Sequence, residues 1–381
     1  MFYRKFNLLY NKNNDRIRKK WKENGVKNIK INMSRTREKK KNKALKVFLI
    51  ILLIIIILIL GSGFTGYMYI KNKLGKVQYE EITKDKTELG ISEETQKKES
   101  QMNNFRNIAL LGVDSQTDDY STAYRTDCII IASINEKTGD VQLFSIYRDT
   151  YVQMEEKGKT KFDKINHAYY GGVQNTLKTI NTNLDLNITE YALADFGAVK
   201  DLVDAVGGIE INITQDELKY INNYIGNVNE VTNSSAKRIT KTGNQKLNGV
   251  QAVAYCRIRY TEGWDYKRTE RMREVLTTAC DKIKKLSLKE MSDLADILLP
   301  EVMTNIPKKD LLGFTRLKIT KEFGWPYNTK GWENGDFYGP PITLESNVLQ
   351  LHREIYGDED YVVPDSVKEI SNKIIKKTGY K

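Results

Sequence analysis

The run VFLIILLIIIILILGSGFTGYMYI (residues 47–70) carries no charged residue over 24 positions, and it restricts what the chain can fold into more than any other feature. About 20 apolar residues are enough for a helix to cross roughly 30 Å of hydrocarbon. The run is continuous rather than amphipathic, which argues against a buried core helix. It also begins late, runs long and has no small-x-small cleavage site after it, unlike a signal peptide. A single transmembrane helix is therefore expected. The formal net charge of +12 belongs to what precedes it: residues 1–46 hold seventeen Lys and Arg against three acids, leaving about −2 for the rest. The cluster SRTREKKKNKALK (residues 34–46) abuts the run. Basic flanks stay in the cytoplasm and attract anionic headgroups. The tail therefore reads as a topology signal with lipid contact; it has no stacking platform, so nucleic acid is not an expected partner.

Four segments follow from composition: a cytoplasmic basic tail (1–46), the transmembrane helix (47–70), a polar extracytoplasmic stalk (71–103) and a folded domain (104–381, with its motif core at 107–285). The stalk assignment rests on weak apolar periodicity. Cys128, Cys256 and Cys280 are widely spaced with no CxxC, so a zinc site is not indicated; a Cys128–Cys256 bridge stays open. Two histidines in the whole chain argue against a His-based triad.

Within the domain, NIALLGV (107–113) and CIIIASI (128–134) read as buried strands, and NEKTGD (135–140) is a turn leading into VQLFSI (141–146), making a hairpin. FGAVKDLVDAVGG (196–208) has helical spacing and a glycine stop before the alternating IEINI (209–213). Interleaved strands and helices point to an α/β class, a mixed central β-sheet flanked by helices. All six prolines lie at or beyond Pro300, so the C-terminal part is expected to be looser.

Charges gather at expected strand ends: Asp114, Arg125 with Asp127, Arg148 with Asp149, then Arg257 with Arg259. Strand ends converge when strands share a sheet. AVAYCRIRY (252–260) reads as a strand, which would point Arg257 and Arg259 from one face. Two adjacent guanidiniums suit phosphate oxygens; a salt-bridged arrangement with Glu262 or Asp265 is the alternative. In the helix that follows, Met272, Val275, Leu276, Ala279, Ile283 and Leu286 form one stripe with Arg268 in its middle, Arg271 at its edge and Glu270 and Arg273 outside it. An arginine aimed inward needs a carboxylate or a ligand. Asp114 and Asp127 supply hard oxygens of the kind Mg²⁺ takes beside a pyrophosphate. There is no P-loop, so ATP is not expected.

These motifs together resemble the LytR-CpsA-Psr (LCP) family of Gram-positive envelope proteins: NIALLGVDS (107–115), RTD (125–127), SIYRDTYV (145–152), KINHAYYGG (164–172), LVDAVGGIEINI (202–213), LNGVQAVAYCRIRY (247–260) and GWDYKRTERMR (263–273). The resemblance implies the LCP fold, with an apolar tunnel for a lipid tail. It implies an enzyme that moves a glycopolymer, such as teichoic acid or capsule, from a polyprenyl-pyrophosphate carrier to a peptidoglycan acceptor through a phosphodiester, during cell wall assembly outside the plasma membrane. It further implies that Asp114 and Asp127 hold Mg²⁺ (or Mn²⁺), that Arg125, Arg148, Lys164, Arg257, Arg259 and Arg268 hold the pyrophosphate, and that Arg148, Asp149, Asp265 and Arg268 serve catalysis, with Asp149 or Asp265 as base. A membrane-bound transcriptional attenuator and a polyprenyl-pyrophosphate hydrolase are the alternatives. Two positions depart from the family pattern. Tyr147 stands where proline is usual, expected to change only backbone stiffness, and Met272 stands where glutamine is usual, expected to remove a polar group near the phosphates.

Overall fold

Long β-branched runs that are apolar at consecutive positions have to be covered on both faces, and the computed structural model places them at the centre of a sheet. It describes residues 72–97, 101–113, 125–262, 264–283, 285–308, 310, 318–330 and 339–381. The basic tail and the uncharged run lie outside these, and among the described residues no helix is long and apolar enough to cross a membrane.

The strands are β1 (Gln78–Tyr79), β2 (Phe105–Val113), β3 (Thr126–Asn135), β4 (Asp140–Ile146), β5 (Tyr151–Glu156), β6 (Lys159–Lys164), β7 (Glu190–Asp195), β8 (Ile209–Ile213), β9 (Gly243–Leu247), β10 (Met303–Thr304) and β11 (Lys318–Trp325). Seven form one sheet in the order β1-β10-β7-β2-β3-β4-β11. It is mixed: β2–β7, β4–β11 and β1–β10 run parallel, while β2–β3, β3–β4 and β10–β7 run antiparallel. The expected β3–β4 hairpin is present, its turn closed by Asn135 Oδ1, which accepts from the backbone N–H of Lys137 and Thr138.

Besides a short helical turn at Glu93–Lys97, the helices are α1 (Gly172–Leu184), α2 (Phe196–Ala205), α3 (Gln215–Val231), α4 (Gly249–Arg257), α5 (Trp264–Ile283), α6 (Leu288–Leu298), α7 (Leu344–Tyr356) and α8 (Asp365–Thr378). Alternation along β2 divides the core. Ile108 and Leu110 join a cluster with α2 to α6 on one face. Ala109, Leu111 and Val113 join a second with α1, α7 and α8 on the other. The result is three layers.

Three expectations are corrected. AVAYC belongs to α4, a helix, rather than to a strand. Asn248 accepts from Gln251 N while the Gln251 side chain returns to Asn248 N, a reciprocal cap that starts a helix. Val250, Ala252, Val253, Ala254, Tyr255 and Cys256 are all buried. A segment apolar all round carries no period that separates a helix from a strand. The proline-bearing C-terminal part is not loose: β11 pairs with β4 along its length, and Val348, Leu351, Ile355, Val367, Ile370 and Ile374 pack into the second core cluster.

Nor are residues 72–97 a free stalk. Leu74 and Val77 enter the first cluster, Leu89 and Ile91 the second, and β1 is a strand of the main sheet. The four apolar side chains fall in two distant pairs within an otherwise mostly polar segment, so no regular spacing joins them in sequence. Full burial of such a side chain contributes about 1.5–3 kcal/mol. A chain starting at Asn104 should therefore unfold about 10 °C or more below one starting at Asn72 when followed by circular dichroism. Equal midpoints would return this segment to a stalk.

Candidate functional site

Asp127 lies at an irregularity in the β2–β3 pairing, where the register steps from Cys128 to Thr126. Its carboxylate is nearly buried, and both oxygens are engaged. Arg148, just beyond the end of β4, donates Nη1–H to Oδ1 at 2.5 Å. Arg268, in the first turns of α5 and 1 % exposed, donates Nη1–H to Oδ2 and Nη2–H to the Asp127 carbonyl, each at 3.1 Å. Arg259 Nη2 approaches Oδ2 at 3.9 Å. Burial pushes the Asp127 carboxyl up, but the guanidiniums of Arg268, Arg148 and Arg259 outweigh it and hold the carboxyl well below the usual carboxylate range.

Asp149 continues the cluster, with Oδ1 3.9 Å from Arg148 Nε and 3.5 Å from Lys164 Nζ. Among the described residues, the cationic groups of Arg148, Arg259, Arg268 and Lys164 gather around the carboxylates of Asp127 and Asp149. Guanidinium and ammonium donors gathered in this way suit a polyanion. Beside it, Thr126 Oγ1 and Asn166 Oδ1 are buried and make no hydrogen bond among the described residues. Unpaired buried polar atoms are costly, so water or a ligand is expected there.

The expected residues are partly brought together. Asp127, Arg148, Asp149, Lys164, Arg259 and Arg268 form one cluster. Arg125 is at its edge, donating Nε–H to Tyr170 Oη at 3.2 Å. Arg257 and Arg259 do not share a strand face: Arg257 ends α4 and stands over the Phe196 ring at 5.9 Å, and the buried Ile258 separates it from Arg259. Asp114 and the Asp265 side chain lie outside what the structure describes. A divalent cation can be tested on Asp127 alone. It is ionised, as a hard cation requires, and its guanidinium partners leave lone pairs on each oxygen. Among the described residues there is no group of three or more candidate metal ligands.

An apolar cavity of about 50 Å³ adjoins the cluster, walled by the ends of β2, β3 and β7, the start of α2, and Cys128, Cys256 and Met272. The two cysteines carry thiols, not a disulfide, and burial pushes the Cys256 thiol up. Met272 thus belongs to an apolar wall beside the cluster.

Arg271 proves structural. Its guanidinium donates to Glu217 Oε1 at 2.8 Å, the Ile258 carbonyl at 3.0 Å and Thr261 Oγ1 at 2.6 Å, pinning the loop that presents Arg259 to α3. The bonds made by Arg271 and Thr214 outweigh the upward push of burial and lower the Glu217 pKa. Tyr147 also does more than change stiffness. Its N–H donates to the Trp325 carbonyl at 3.0 Å, a bond proline lacks. Its ring meets Tyr266, in the first turn of α5, edge to face at 4.5 Å, and fills the space where a Cβ on Gly324 would sit 2.1 Å from the Tyr147 hydroxyl. Tyr147 thus braces the turn that carries Arg268. Sequence marked Tyr147 only as a departure, and Gly324 not at all.

Removing one partner of a buried pair costs about 3–5 kcal/mol, so Glu217→Ala should lose about that much in urea unfolding. A lowered glutamate stabilises above its ordinary value of 4.5 and loses that contribution as pH falls through its folded value. The variant should lack this part of the acid slope. Gly324→Ala should cost about 1–3 kcal/mol by overpacking, and much less when Tyr147→Ala is also present. An additive thermal-denaturation cycle would show that the two do not touch.

Comparison with known proteins shows the family. Residues 64–322 match the LytR_cpsA_psr family. The polyisoprenyl-teichoic acid–peptidoglycan teichoic acid transferase TagU of Enterococcus faecalis is 33% identical over 231 residues, covering 59% of this chain and 69% of that protein. The TagT transferase of Bacillus subtilis is 29% identical over 235 residues, with the same 59% and 69% covered. The structure of TagT bound to LI-WTA superposes with a TM-score of 0.50 at 25% identity, covering 71% of this chain and 97% of that one. The mixed α/β fold around a seven-stranded sheet is common to both.

Proposed function

Because this chain belongs to the LytR-CpsA-Psr family, we propose that it is a membrane-anchored phosphotransferase that moves a glycopolymer from a polyprenyl-pyrophosphate carrier to peptidoglycan. The observation that carries this reading is the gathering of Arg148, Arg259, Arg268 and Lys164 around Asp127 and Asp149, beside an apolar cavity. One end of the site suits a diphosphate, the other an apolar tail. The similarity to TagU and TagT, named as teichoic acid transferases, points the same way.

In this reading a peptidoglycan hydroxyl, the muramic-acid 6-hydroxyl, attacks the sugar-linked phosphorus in line. The new P–O bond forms as the bond to the polyprenyl phosphate breaks. Arg148, Arg259 and Arg268 offer guanidinium N–H groups to oxygens that gain charge, a preorganised field that needs no rearrangement. Asp127 holds Arg148 and Arg268 in place. Asp149, beside Lys164, and Asp265 are the carboxylates proposed to take the hydroxyl proton. Mg²⁺ (or Mn²⁺) is proposed at Asp127 with Asp114, where it would neutralise phosphate oxygens. Residues 47–70 are proposed to anchor the chain in the plasma membrane with the tail in the cytoplasm and the folded domain outside.

Arg259 tests the site cleanly, because it is partly exposed and its removal leaves Asp127 with two close guanidiniums. Arg259→Ala should lower transfer by roughly 10²-fold with the unfolding midpoint unchanged, measured as glycopolymer joined to peptidoglycan. Wild-type turnover would remove Arg259 from the site. Phosphate-terminated glycan made at the same rate with and without acceptor would identify a hydrolase instead.

A further inference from the structure

The uncharged run ends at Ile70, and the first described residue is Asn72. Lys73, two residues before Gly75, is already 7 % exposed and paired with Asp296 on α6, with Nζ–H also donated to the Ser292 carbonyl at 3.2 Å. Lys76 Nζ binds the other Asp296 oxygen at 2.9 Å. Gln78 then donates its side chain to the Pro300 carbonyl at 2.6 Å and its backbone N–H to the Val302 carbonyl at 3.0 Å. Leu74 and Val77 are buried beneath these contacts. Chain length then limits the geometry. Three residues span at most about 11 Å, so the backbone of Lys73 can stand no farther than that from the end of the uncharged run.

We infer that residues 73–79 are a strap that holds the folded domain directly against the bilayer, with α6 at the headgroup surface. This rests on the reading of residues 47–70 as a membrane span. Two further observations fit a lipid surface as the occupant of this side. Ile297, next to Asp296, and Tyr79, at the end of the strap, are large exposed apolar residues in a chain segment where most others are covered. An aliphatic side chain and a tyrosine suit the headgroup region, which is apolar on one side and wet on the other. The strap is also joined to the cavity through the sheet. β1 pairs with β10, and β10 pairs with β7 at Ala192 and Leu193. The next residues, Ala194 and Asp195, line the cavity. Two strand spacings, about 10 Å, separate strap and cavity wall, so the strap sets how far the cavity stands from the lipid that would fill it.

The test uses the full chain reconstituted in bilayers containing a lipid with a photoreactive headgroup. Cross-linked peptides are mapped by mass spectrometry for the wild type and for a chain with sixteen Gly/Ser residues inserted between Lys71 and Asn72, a tether of about 20–24 Å root-mean-square length. Cross-links are expected on the strap and on the 288–300 segment of the wild type, falling tenfold or more in the inserted chain, while both chains float with the vesicles. Flotation without cross-links on these segments, or cross-links indifferent to the insertion, overturns the strap. Failure of the wild type to float overturns the membrane reading itself, and the strap with it. In the same bilayers, transfer from an embedded donor lipid should fall in the inserted chain, with transfer from detergent-dissolved donor unchanged.

Discussion

The buried carboxylate of Asp127 is what the candidate site depends on. An ionised carboxylate taken out of water carries a desolvation penalty of several kcal/mol unless its lone pairs are used. Here Arg148 and Arg268 each donate to one of its oxygens. The two arginines come from opposite ends of the motif region, one after β4 and one in α5, and neither could be buried alone. Each ion makes the burial of the others tolerable, and the guanidiniums so fixed are donors of the kind that phosphate oxygens take.

The surroundings keep that cage in register. Tyr147 presses the first turn of α5 toward β11 through Tyr266 and Gly324. Arg271, buried against Glu217, ties the loop bearing Arg259 to α3. These residues touch no expected ligand position. They act through the placement of Arg268 and Arg259, and precise placement is what an electrostatic site requires, because its stabilisation depends on donors fixed before charge develops.

Much of this was readable from residue order. The strands at 107–113 and 128–134, the hairpin, the helix at Phe196 and the stripe on α5 with Arg268 buried in it all follow from local apolar patterning. Asp127, Arg148 and Asp149 meet because β3 and β4 are neighbours in one sheet, whereas Lys164 arrives from the separate β5–β6 hairpin, Arg259 from the loop after α4 and Arg268 from α5. Other features were not legible. AVAYC has apolar residues on every side, so only the Asn248–Gln251 cap distinguishes a helix there. Leu74, Val77, Leu89 and Ile91 are scattered among polar residues and gain meaning only from the core they enter. Arg271, at the edge of its stripe, could equally have faced solvent or ligand until Glu217 was seen 54 positions away.

Sequence alone determined the layering of the domain, the presence of a long uncharged run and the residue types gathered at the strand ends, because each depends on neighbours within a few positions. Tertiary structure decided which arginines cage Asp127 and which merely support the loop, that Met272 walls an apolar cavity, and that the segment after the run is bound into the sheet. Those outcomes depend on pairings across tens to hundreds of residues, such as Arg268 with Asp127 and Lys73 with Asp296. Burial and charge balance belong to the assembled neighbourhood, and no local pattern encodes them.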